Sequence, residues 1–208
     1  MIAPVLAWAG ILAALIYLPM SEDAPNGPRS VVKMLPLLFF AYAAYHAGGG
    51  AFLIAGLLLS ALGDFALSRS GQAAFLSGLG AFALAHLAYV VHFLALSGVP
   101  LLAAFTLNAP LAVFLVAFAG LAELWLVPYT AGLKWPVRVY IVLITLMGLA
   151  ALTLPVGTAV LGAAFFIASD TLLAYQLFRM DPDNPLLGRV GWSVWIFYIA
   201  GQAMILSA

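Results

Sequence analysis

Apolar residues occur in eight long runs, near 2–18, 31–46, 51–68, 73–96, 101–127, 136–154, 157–178 and 190–207. Each approaches or exceeds the roughly 20 apolar residues an α-helix needs to cross a bilayer. The breaks carry the residues that stop helices: Pro19 to Ser30, Ala47 to Gly50, Arg69 to Gln72, Ser97 to Pro100, Pro128 to Trp135, the Leu154-Pro155 corner and Arg179 to Gly188. The pattern predicts an all-α, polytopic transmembrane helix bundle of about eight spans, a single integral-membrane domain over 1–208. The first run lacks a basic flank and is followed by a polar Pro/Gly loop without a small-residue cleavage site, so it reads as a retained span.

Composition agrees. Hydrophobic residues make up 66% of the chain and charged residues 7%, against roughly 25% charged in a soluble domain. The net charge of zero offers no basic patch, which excludes nucleic acid as a partner. With no cysteine, disulfides, thiolate metal sites and cysteine nucleophiles are excluded together.

Charge placement orients the bundle. Arg29 and Lys33 flank the first connection, Arg69 the third, Lys134 and Arg138 the fifth, and Arg179 and Arg189 the seventh; the even connections carry no Lys or Arg. Cytoplasmic loops keep an excess of positive charge, so the odd connections are expected in the cytoplasm and both termini outside, in a bacterial inner (plasma) membrane. Trp8, Trp125, Tyr129, Trp135 and Trp192 sit mostly near predicted helix ends, as interfacial aromatics do. A faint repeat is also present: Gly56, Asp64 and Leu67 recur as Gly162, Asp170 and Leu173, 106 positions on, and Lys33 recurs as Arg138. Four spans separate the copies, so the pattern admits two parallel four-span repeats.

Ionisable residues inside spans cost about 2.5–3.5 kcal/mol on insertion scales and need a local reason to be there. Asp64 lies five residues before Arg69, about 7.5 Å from the cytoplasmic end of its span, and Asp170 nine residues before Arg179, about 13 Å in. Lys33, Arg138, Tyr140 and Tyr198 are predicted at the same half. One reading is two structural ion pairs, Lys33 with Asp64 and Arg138 with Asp170. The other is a wet cavity where paired carboxyls do acid and base work while cations hold an anionic headgroup. His86, deep in span four, can hydrogen-bond toward such a cavity or serve only in packing. His92 lies about 120° round the helix from His86, so the two form no metal face, and no metal or cofactor is expected. Glu123 reads as a helix-end residue near the outer surface that reaches water. Gly56, Ser60 and Gly63 form a small-residue stripe suited to close helix contact.

Five segments in register resemble the YhhN-like lysoplasmalogenase family: Lys33-Met-Leu-Pro36, Gly56 to Asp64, Gly80 to Tyr89, Val139-Tyr140, and Ala168 to Ala174. The ending Tyr198-Ile-Ala-Gly-Gln202 is similar as well, whereas the first run and 101–127 match nothing. The resemblance implies a membrane hydrolase that cleaves the vinyl ether of a lysoplasmalogen, releasing a fatty aldehyde and a glycerophospho-alcohol. Its two membrane aspartates map onto Asp64 and Asp170, and Lys33, Arg138, Tyr140, His86 and Tyr198 become candidate substrate-binding residues. The expected partners are a lysophospholipid substrate and membrane lipid, and related vinyl ether or lysolipid substrates stay open. A small lipid or metabolite transporter and a non-catalytic lipid-binding protein are the rival classes, since both also use intramembrane charges.

Overall fold

The computed structural model describes residues 2–208, and every regular element among them is helical. The α-helices are α1 (Ile2–Tyr17), α2 (Gly27–His46), α3 (Ala51–Leu67), α4 (Gln72–Ser97), α5 (Ala104–Leu107), α6 (Ala109–Trp125), α7 (Lys134–Ala151), α8 (Thr158–Phe178) and α9 (Leu187–Leu206). All eight predicted runs reappear, with short 3₁₀ turns in some of the connections. Five segments of the described residues are long and apolar enough to cross a membrane: Ile2–Glu22, Gln72–Ser97, Ala109–Tyr129, Ala131–Ala151 and Thr158–Phe178. Helix α3 is equally apolar but shorter, at 17 residues. Helices α2 and α9 are 20 residues each and carry polar groups, among them Lys33 and Arg189. The protein is an all-α, polytopic integral membrane protein.

Two departures from the expected boundaries exceed three residues, each for a local reason. Helix α2 starts four residues before the apolar run because Asn26 caps it, its side chain accepting the Arg29 N–H at 2.8 Å, with Pro28 in the first turn. The run 101–127 is not one helix. Pro110 has no N–H for an uninterrupted ladder and its ring would clash with the carbonyl one turn back, so it is tolerated only in the first turn of a new helix. The chain breaks at Asn108, whose side chain donates to the carbonyls of Leu152 at 2.8 Å and Leu154 at 3.4 Å, the end of α7 and its following turn.

The chain divides into two compact units, one ending at Tyr89 and the other Val90–Ala208, with the division inside α4. In the first, α1 packs on α2 and α2 on α3. The stripe on α3 is a helix contact, as its composition suggests: a Cβ on Gly63 would come within 2.6 Å of the Phe82 ring of α4, and Gly56 faces Tyr89 equally closely. In the second unit α6, α7, α8 and α9 pack in sequence order. Ala112 and Leu115 of α6, Leu149 of α7 and Val160 of α8 share one buried cluster. Helices α8 and α9 meet backbone to backbone at Gly162 and Gly201, where a Cβ on either would lie 2.9 Å from the carbonyl oxygen of the other. The outer surface is apolar, with Trp8 and Trp135 as exposed as Leu124, as a protein solvated by lipid requires.

Candidate functional site

In the first unit Asp64 sits one turn from the end of α3 and is 2% exposed. A buried carboxylate needs a partner, and α2 supplies one: Lys33 Nζ lies 3.7 Å from Asp64 Oδ1. Tyr17, at the end of α1, lies beneath both cations of α2, with its ring centroid 5.9 Å from Lys33 Nζ and 5.7 Å from the Arg29 guanidinium. Arg29 itself staples the neighbourhood, donating to the carbonyls of Met20 at 2.9 Å, Ser21 at 2.8 Å and Ser68 at 3.4 Å. This ties the turn after α1 to the end of α3 and leaves Lys33 as the cation beside Asp64. His86 lies fully buried on α4.

In the second unit Asp170 lies in the interior of α8 and is partly buried. The Tyr140 hydroxyl of α7 donates to Asp170 Oδ2 at 2.5 Å, a short charge-assisted type of bond. On α9, Tyr198 is buried, packed edge-on against Phe166 with ring centroids 5.4 Å apart and beside Trp195 at 5.7 Å. Ser169 donates to the Val194 carbonyl at 2.9 Å and so fixes α8 against α9 next to Asp170.

Arg138 does not pair with Asp170. It forms a bidentate pair with Glu123 of α6, at 2.8–3.1 Å, and lies over the Trp135 ring at 5.2 Å. The reason is helical geometry: Arg138 and Tyr140 are two residues apart, hence about 200° round α7, so only one of them can face α8. The pair also corrects the reading of Glu123, which lies at the end of α6 before the Arg-bearing fifth connection rather than at the opposite surface. His92 of α4 is buried with Nε2 lacking a hydrogen-bond partner. No cluster of three metal-ligating side chains is present among the described residues.

The two units share an internal arrangement. In each, the acid stands on the third long helix and receives a polar group from the second, Lys33 in one and Tyr140 in the other. In each, a glycine on the third helix, Gly56 or Gly162, admits the fourth at close range.

Such an architecture defines a class: a polytopic membrane protein with a partnered intramembrane carboxyl on the third long helix of each of two helical units. The comparisons with known proteins agree with this and narrow it. Residues 28–208 match the YhhN family, and the chain belongs to it. A lysoplasmalogenase of Mycobacterium bovis is 32% identical over 97% of this chain and 80% of its own length. The lysoplasmalogenase TMEM86B of Sus scrofa is 37% identical over 92% and 78%, and TMEM86A of Homo sapiens 32% identical over 93% and 82%. No solved structure matches the chain.

Proposed function

We propose that this protein is a membrane lysoplasmalogenase, hydrolysing the vinyl ether of a lysoplasmalogen by two-carboxyl acid/base catalysis with Asp64 and Asp170. The observation that carries the proposal is that both acids lie within apolar helices and each is held by a polar partner from the preceding long helix. Relatives named lysoplasmalogenase, aligned with 92–97% of the chain, supply the substrate class.

The reaction balances with two carboxyls and water. A protonated carboxyl gives its proton to the β-carbon of the vinyl ether, leaving an oxocarbenium ion. The ionised carboxyl takes a proton from water as the water oxygen adds to the α-carbon. The hemiacetal then collapses, its hydroxyl proton leaving as the bond to the glycerol oxygen breaks and that oxygen is protonated. Fatty aldehyde and glycerophospho-alcohol leave, with one water consumed. The division of labour resembles that of glycoside hydrolysis, which also passes through an oxocarbenium-like state. Lys33 is positioned to neutralise a phosphate or to hold Asp64 ionised.

The eight long helices preserve the alternation of basic connections, which supports eight crossings with Lys33 and Arg138 on the cytoplasmic side of the plasma membrane. The test is to incubate detergent-purified protein with lysoplasmalogen and with ester lysolipids of the same headgroups, following aldehyde release. Aldehyde from the vinyl ether substrate is the expected result; vesicle counterflow of an intact lipid without product would make the protein a transporter instead.

A further inference from the structure

The second unit carries a groove of about 510 Å³, open to the surface beside the exposed Leu111, Phe114 and Ala164 and within the range of about 300–1,000 Å³ usual for ligand pockets. Leu111 and Phe118 of α6, Gly148 of α7, Ala164 and Thr171 of α8 and Phe197 of α9 are among its lining residues. The lining is almost wholly apolar. Its one hydroxyl, on Thr171, donates to the Ile167 carbonyl of its own helix at 2.8 Å and so offers no donor to a ligand. A polar headgroup could not be satisfied there, whereas a hydrocarbon chain could.

The groove follows α8 lengthwise. Its lining on that helix runs from Val160 to Leu172, twelve residues or about 18 Å at 1.5 Å per residue. At one end Thr171 and Leu172 directly follow Asp170 in sequence; the other end lies toward the start of α8, away from the basic connection that bears Arg179. An elongated apolar space whose end is one residue along α8 from a carboxyl suits a molecule with one hydrocarbon chain and its reactive bond at the head of that chain.

We infer that this groove binds the single alkenyl chain of the lysolipid substrate, with the chain running along α8 from Asp170 toward Val160. The inference rests on the proposed hydrolase activity and adds to it the location of the tail and the basis of chain-length selection. Ala164 lies six residues from Asp170, about 9 Å along the helix, so a larger side chain there closes the far part of the groove while leaving the near part open.

The experiment has two arms. In the first, kcat/KM is measured for hexadecenyl and octenyl lysoplasmalogens with wild type, Ala164→Phe and a control, Leu12→Phe, at an exposed position of α1. Ala164→Phe should lower the ratio of long-chain to short-chain kcat/KM by about tenfold or more, the scale of pocket discrimination between aliphatic groups, and Leu12→Phe should leave it unchanged. An unchanged ratio in Ala164→Phe overturns the groove. In the second arm, wild-type protein is photolabelled with a non-hydrolysable alkyl-ether lysolipid carrying a diazirine at the chain end, and the labelled peptides are sequenced. Labels on α6 and the first half of α8, competed by unlabelled lysolipid but not by a two-chain phospholipid, support the groove. Labels scattered over exposed apolar residues and equally competed by both lipids overturn it. Absence of aldehyde release by wild type would defeat the hydrolase reading alone, because the photolabelling arm decides the groove without turnover.

Discussion

A carboxyl that does chemistry and one that only completes an ion pair respond differently to the same substitution. Asn keeps the volume of Asp but can neither donate a proton as an acid nor take one as a carboxylate. Asp64→Asn and Asp170→Asn are therefore each expected to lower kcat by about 100-fold or more while the protein stays folded in detergent, and the double variant should be scarcely worse than either. Activity against pH should be bell-shaped, with limbs belonging to the pair rather than to either residue. Full turnover in either single variant would make the carboxyls structural and move attention to His86 and Tyr198. The cations separate in the same way. Lys33 stands beside a buried carboxylate, so Lys33→Met should raise KM and lower thermal stability together. Arg138 is already engaged by Glu123 in an exposed pair, so Arg138→Met should move both much less. A larger KM effect at Arg138 than at Lys33 would reverse their assignment. At this scale the acids were legible because charge inside an apolar run is costly. Arg138 was not, because the choice between it and Tyr140 depends on which side of α7 faces α8, and the two lie on opposite sides.

Helices bring these groups together only where backbones can approach. The tightest approach in the second unit is between α8 and α9, where a Cβ on Gly162 would meet the Gly201 carbonyl oxygen and the Ile205 nitrogen, each at 2.9 Å. Both are backbone atoms, so no side chain can rotate away, and a substitution must part the helices. Gly162→Val is accordingly expected to destabilise by about 1–3 kcal/mol, read as a lower midpoint in a thermal scan in detergent. Gly80→Ala on α4, where a Cβ would meet nothing within 4 Å, should be neutral or slightly stabilising. Equal effects at the two sites would sink the close-packing account. Most helix ends were legible from their apolar runs to within three residues, since a helix solvated by lipid has to be apolar nearly all round. The break at Asn108 escaped because the run 101–127 is uniformly apolar, and hydropathy does not register a missing N–H. Pro110 was the one signal, and it marks the start of α6. The early start of α2 escaped for a related reason, as a cap and a proline begin a helix without contributing hydropathy.

The seven Lys and Arg residues all flank alternate connections, and the proposed orientation of the molecule, with the depth of the proposed chemistry, rests on this arrangement. With the basic connections in the cytoplasm, the headgroup of a lysolipid in the proposed groove would lie near that surface while its chain extends toward the membrane interior beyond Asp170. The reverse orientation would present the same site to the opposite leaflet and to a different pool of lipid. Because the chain has no cysteine, the question can be settled with single introduced thiols on an otherwise unreactive background. Gly49→Cys between α2 and α3 and Val99→Cys after α4 should react with a membrane-impermeant maleimide in intact cells. Ser70→Cys between α3 and α4 and Asp183→Cys between α8 and α9 should react only after permeabilisation. A reporter fused after Ala208 should read as outside. Labelling of Ser70→Cys in intact cells would invert the whole molecule. Agreement at Gly49 and Val99 combined with a cytoplasmic reading after Ala208 would mean an odd number of crossings, with one long helix of the second unit lying outside the alternation. In that case Asp64 would keep its depth and Asp170 would lose it, and a mechanism needing both acids at one level of the membrane would fail.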